Sequence, residues 1–352
     1  MKHTIPKNPS KNTTNDWIPE SANLLHLGLH LLILIVGMII LHESILAFAD
    51  RVHATKAFGL FDTNSSREAA SNIWLGIELV VGFIFWTGLL VSTGSRLRAL
   101  GNIVHECSHN IFLKDPRANE FLGNILAVLL LQSFQKYRDD HRTHHKYLGI
   151  VGLQKCDRDL ARYQNLFQNR GTENILRRQL ALAWRPQNLK VAYQITLWNK
   201  SDHLHTNRLR VVYAAALLLG IGLLFNQAAA GTNGLHNALR CMGVAVALAP
   251  VFIIYPLFCV WSDIADHCIG AALHRRPNAF SLSRNHIFRS KILNLIFFPR
   301  NDAYHLVHHL FPSRPVSQYP AIHRRLLVEQ PEYARLNHTL SILKIPKTAA
   351  QT

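Results

Sequence analysis

The sequence predicts an all-α integral membrane protein, with about four transmembrane helices beneath a cytoplasmic helical cap rich in histidine. Three observations carry this reading. Apolar residues collect in four runs long enough to cross a bilayer. Charged residues make up only 17% of the 352-residue chain, against about 25% in an ordinary globular domain. The 21 histidines gather into three dense groups beside those runs.

Residues 1–23 read as a polar tail. Its opening, MKHTIPKNPSKNTTNDWIPE, lacks the early apolar region and small-residue cleavage site of a signal peptide. Residues 24–330 then form one membrane domain. A run of about 18 apolar residues is the threshold for a spanning helix. The first span, about 24–45, contains LLHLGLHLLILIVGMIIL, broken only by His26 and His30. The second, about 73–95, carries one acidic residue, Glu78, either a pathway group or one wetted by the interface. Residues 121–134 are too few to cross and read as a re-entrant or interfacial segment. The third span, about 211–230, begins VVYAAALLLGIGLLFN. The fourth, about 240–260, holds Pro250 and Pro256, which membrane helices tolerate. Residues 331–352 are expected to be a C-terminal tail.

The 38 Lys and Arg against 21 Asp and Glu give a net charge of +17. Nineteen of the basic residues lie in 96–210 and twelve follow Trp261, whereas 227–234 has none. This imbalance places the histidine groups and both termini on the cytoplasmic side. No basic run is interleaved with aromatics as in a nucleic-acid module, so no nucleic-acid partner is expected. Cys107, Cys156, Cys241, Cys259 and Cys268 form no C-x-x-C pair, which excludes zinc ribbons and thioredoxin-type redox motifs.

The histidine groups are His105-Glu-Cys-Ser-His109, His141-Arg-Thr-His144-His145 and His305-Leu-Val-His308-His309. Positions i, i+3 and i+4 of a helix share a face, so each group is expected to aim two or three imidazoles at one point. Isolated histidines (His26, His30, His42, His203, His205, His236, His338) are read as ordinary core or surface residues. His267 closes the fourth span and is taken as a ninth ligand, with helix-end capping as the plainer alternative. Glu106, Asp140, Asp266 and Asp302 lie beside the groups and are candidate acceptors for the distal imidazole N–H. Eight or nine imidazoles exceed the needs of one four-coordinate zinc and suit two metals. The motif pairs of soluble carboxylate di-iron bundles do not occur. Iron is the expected metal, because an open, redox-active site near lipid suits O₂ chemistry, although ligand type alone leaves others open.

HECSHN from His105, HRTHHKYLG from His141 and YHLVHHLFPSRP from Tyr304 resemble the three histidine boxes of membrane-bound fatty acid desaturases, over about residues 74–320. The resemblance implies His105, His109, His141, His144, His145, His305, His308 and His309 as iron ligands, with His267 matching the family's extra histidine. It implies O₂-dependent insertion of a double bond into an acyl chain. Hydroxylation or ketolation of a lipid or carotenoid on the same site is the alternative. The third box opens with His305 where some branches have Gln. No HPGG haem motif occurs in the sequence, so electrons are expected from a separate ferredoxin or cytochrome b5-type donor.

Two rivals remain at this level. HECSH is also H-E-x-x-H, the zinc metalloprotease signature in which Glu106 would be the general base. That reading leaves both HxxHH groups unexplained. A metal-binding membrane protein without catalysis is the other.

Overall fold

The computed structural model describes residues 20–57, 66–148, 156–158, 176–188, 195–230, 234–267, 283–336 and 338–339. Expectations for 1–19 and 340–352, and for Cys268, lie outside these residues. Four helical stretches are long and apolar enough to cross a membrane: Glu20–Val52, Gly76–Ser108, Leu204–Ala229 and His236–Asp266.

Helix α1 spans Glu20–Ala57 and α2 spans Ser66–Ser108. The 43 residues of α2 make a rod of about 65 Å, twice the roughly 30 Å hydrocarbon core. Its apolar run ends near Ser95, so its last turns stand clear of that run and carry the first histidine group upward. Helix α3 (Pro116–Leu129) and α4 (Phe134–Tyr147) follow. At 14 residues, α3 is about 21 Å long, too short to cross. Asp115 caps it by accepting from Arg117 N, with Pro116 in its first turn. It packs back along α2, and Gly123 makes room for the first residue of α4, since a Cβ there would meet the Phe134 ring at 2.4 Å. Ser133 then caps α4 through Lys136 N.

Helix α5 (Leu176–Ala183) lies in the cap, and α6 (Leu204–Ala229) is the third long apolar rod. The fourth is composite: α7 (Gly234–Ala249), a π turn (Pro250–Ile254) and α8 (Tyr255–Asp266). The proline at the start of the turn removes a donor from the ladder, and the widened turn absorbs the loss. Ile254 in that turn presses on Gly94 of α2, where a Cβ would sit 2.3 Å from its Cγ2.

The cap closes with α9 (Lys291–Phe297), α10 (His305–Leu310), α11 (Tyr319–Glu329) and α12 (Pro331–Leu336). A two-residue parallel pair, His286–Ile287 (β1) with His338–Thr339 (β2), is a minor addition to an all-α fold. Helix α12 lies within the segment read from sequence as the C-terminal tail. Tyr333 is fully buried, its hydroxyl 2.6 Å from both Asn285 Nδ2 and His323 Nδ1.

Burial divides along the rods. Leu25, Phe83, Ile84, Leu218 and Leu219 are 65–70% exposed, an apolar surface that suits lipid and not water. The packed core sits at the cap end in three clusters, around Phe112 and Phe134, around Trp261 and Phe298, and around Leu306 and Tyr333.

Candidate metal centre

Each histidine group reaches the centre on, or directly after, a helix. The first occupies the last turn of α2, where Asn110 (φ 56°) turns the chain away; asparagine tolerates that left-handed region better than most residues. The second lies on α4. The third lies on α10, whose first amides, Leu306 N and Val307 N, donate to the buried side-chain oxygen of Asn285 at 3.1 and 3.4 Å. His267 follows directly on α8.

All nine histidines converge, but on two points. His105, His109, His141, His145 and His308 form one group, and His144, His267, His305 and His309 the other; within each, ring nitrogens lie within 4.8 Å of one another. Each HxxHH thus sends two imidazoles to one point and the third to the other. Residues i and i+4 are about 40° apart around a helix, whereas i+3 and i+4 differ by about 100°. Hence His141 and His145 face one group while His144 faces the other, and His305 and His309 face one while His308 crosses over.

The nitrogen spacings bear on what such a site holds. His105 Nε2 is 2.9 Å from His141 Nε2 and 3.0 Å from His308 Nε2, and His145 Nε2 is 2.8 Å from His308 Nε2. Nitrogens bound at right angles to one metal at about 2.1 Å lie about 3 Å apart. The buried Nε2 atoms of His109 and His144 have no hydrogen-bond partner, which is costly without a ligand. An all-imidazole donor set suits iron, copper, zinc or nickel. The residues present therefore fit two metal ions.

Protonation favours ligation. Burial, followed by the repulsion of neighbouring imidazoles, lowers the pKa of His109, His145, His305, His308 and His309. All five are neutral at pH 7, with a lone pair available.

Around the rings stands a second layer that orients them. With Nε2 facing the centre, His144 donates from Nδ1 to Asp157, 3.0 Å from Oδ2, both side chains being buried. His308 Nδ1 pairs with the Tyr319 hydroxyl at 3.1 Å, a phenol whose pKa burial pushes up, keeping it neutral. Asp266 Oδ2 lies 3.5 Å from His305 Nδ1. Of the four carboxylates singled out in the sequence, only Asp266 stands beside a clustered imidazole in this way. Asp140 pairs with Lys136 and Arg158. Asp302 accepts from Arg98 at 2.9 Å, tying α2 to the loop before α10. Asp157 and Tyr319 had no legible signal. Asp157 follows a stretch without periodicity, and Tyr319 lies beyond a break in the helix.

Glu106 decides against the protease arrangement. Both its oxygens are held by the Arg300 guanidinium, Nε to Oε1 and Nη2 to Oε2, the latter at 2.8 Å. The pair is almost completely buried, at 2% and 4% side-chain exposure. Arg300 Nη2 also donates to Asn23 Oδ1 at 3.3 Å, and its guanidinium lies over the Phe112 ring. This clasp joins α1, α2 and the loop before α10. It requires Arg300 and Asn301 to adopt left-handed backbone angles, φ 62° and 59°. A carboxylate so engaged is not free to take a proton from a metal-bound water.

Comparison with known proteins identifies the family. The fatty acid desaturase family profile matches residues 81–340. The chain belongs to the fatty acid desaturase family. It is 34% identical over 80 residues to the sn-1 oleoyl-lipid 12-desaturase of Arthrospira platensis, covering 23% of this chain and 22% of that one. It is 30% identical over 121 residues to the temperature-sensitive sn-2 acyl-lipid omega-3 desaturase (ferredoxin) of Arabidopsis thaliana, covering 34% and 26%. The endoplasmic reticulum omega-3 fatty acid desaturase of Vigna radiata var. radiata is 24% identical over 258 residues, covering 66% of this desaturase-family chain and 62% of its own length. The matched stretches thus span less than two-thirds of each relative.

Proposed function

We propose that this chain is an O₂-dependent acyl-chain desaturase whose centre is two irons, one held by His105, His109, His141, His145 and His308 and the other by His144, His267, His305 and His309. The observation that carries the proposal is the pair of adjoining all-imidazole groups, five and four nitrogens, within a desaturase-family chain. Bound iron supplies the activation of O₂ and the removal of two hydrogens from adjacent methylenes, with two electrons and two protons completing the reduction of O₂ to two waters. The protein supplies the rest. Asp157, Tyr319 and Asp266 hold His144, His308 and His305 in the tautomer that presents Nε2. The Glu106–Arg300 clasp and the Arg98–Asp302 pair fix the helix ends that carry the first and third groups. The apolar rods bring the acyl chain from the bilayer to the cap, and the buried setting limits water.

The electrons come, in this reading, from a separate ferredoxin or cytochrome b5-type protein. One relative carries ferredoxin in its name. The Lys and Arg imbalance supports a cytoplasmic centre.

Lipid analysis of a host expressing the chain tests the proposal. A new unsaturated acyl species should appear under air, and should disappear without O₂ or with His308→Ala. Purified active protein should hold about two irons per chain. A hydroxylated product instead of an alkene, or one tightly held zinc, would overturn the assignment.

A further inference from the structure

A cavity of about 540 Å³ lies at the membrane end of the cap, between α1, α2 and the segment from Ile287 to Ser317. Arg96, Lys291 and Arg300 all line it, and among the described lining residues none is acidic. Arg300 is neutralised by Glu106. Arg96 is different. It is 6% exposed, and among the described residues its guanidinium meets only neutral groups: His30 Nδ1 at 3.2 Å, Ser95 Oγ at 2.9 Å and Leu295 O at 2.9 Å. Its Nε is buried without a partner. A buried cation without a counter-charge is strongly unfavourable, so an anion in the cavity would stabilise this arrangement. Lys291, exposed at the start of α9, makes no ion pair among the described residues and adds a second positive charge to the same space.

The rest of the wall says which anion. Leu29 and Ile33 of α1 line the cavity together with Leu295 and Phe298. Arg96 stands directly after the apolar run of α2, at the level where a bilayer changes from acyl chain to headgroup. The site therefore offers cations at one end and an apolar surface beside them, which is the chemistry of an amphiphile with an oxyanion head. We propose that this cavity binds the phosphate headgroup of an acidic membrane phospholipid, with Arg96 as the principal partner, Lys291 as the outer one, and the acyl chains against Leu29, Ile33 and Leu295. Binding of this kind is separate from turnover and needs neither metal nor O₂.

The test uses the full chain purified in dodecyl maltoside, with thermal unfolding followed during titration with dioctanoyl phosphatidylglycerol. Wild type should show a saturable upward shift in melting temperature. Dioctanoylglycerol, with the same chains and no phosphate, and inorganic phosphate at equal concentration should not produce it. Arg96→Met keeps the side-chain stem and removes the charge, and should weaken the apparent affinity by about tenfold or more, the loss expected for a charged hydrogen bond. Arg96→Lys should recover part of it. Lys291→Ala, at an exposed position where folding is not at risk, should weaken binding by a smaller factor. Equal binding by wild type and both charge-removing variants would overturn the proposal. So would an equal shift with dioctanoylglycerol, which indicates an apolar groove only, or with phosphate alone, which indicates a free-anion site.

Discussion

Breaking the Glu106–Arg300 clasp separates a structural role for Glu106 from a catalytic one. Glu106→Gln keeps the shape and leaves the Arg300 guanidinium, 4% exposed, without its counter-charge. Removing one partner of a buried pair typically costs about 3–5 kcal/mol. For a chain of this size each kcal/mol moves the melting temperature by roughly 2 °C, so the expected drop is about 6–10 °C. Part of it should return in the double variant Glu106→Gln/Arg300→Met, because the orphaned charge is then gone. The assay is thermal unfolding of the purified protein, with metal content measured on the same samples below the transition. Both groups of histidines remain, so metal should stay bound in the cold and be lost as the cap opens. A Glu106→Gln protein as stable as wild type but without turnover would refute this reasoning and restore the general-base role.

Three further outcomes are expected. Asp157→Asn should weaken metal binding by about 10–100-fold, the usual effect of removing a carboxylate behind a ligating imidazole, seen as metal loss on dialysis against a chelator; unchanged retention would remove Asp157 from the site. Gly94→Ala should cost about 1–3 kcal/mol by overpacking against Ile254, and Gly94→Ala/Ile254→Ala should recover stability in the same melting assay. Reporter fusions at Asp157 and Ser313 should lie on the same, cytoplasmic, side of the membrane; opposite sides would break a single shared centre.

The parts of this molecule written in sequence-local patterns were legible, and those made by long-range pairing were not. Four apolar runs announce the rods because lipid demands about 18 apolar residues in succession whatever the neighbours. Eight of the histidines stand out because ligand spacing on a helix is local, and His267 by its place at the end of the fourth span. Their split into five and four was also implicit in the 100° between i+3 and i+4, although spacing alone suggests a common target. Asp157 and Tyr319 are a different case, each meeting its histidine only after the chain folds back. Glu106 shows the converse: H-E-x-x-H is a local pattern, and a partner 194 residues away gives its carboxylate another use. The π turn at Pro250 was foreseeable as a disturbance and not as a contact, since its use lies in Gly94, on another helix.

The crossing of His308 into the first group has a consequence for how the protein is made. Its ring meets His105, supplied 203 residues earlier, and α10 is among the last helices to be synthesised. The first and second histidine groups are therefore made before the third and fourth membrane-length stretches, Leu204–Ala229 and His236–Asp266. Neither converging histidine group is complete until α10 docks, so assembly of the whole cluster waits on one of the last parts of the chain to be made.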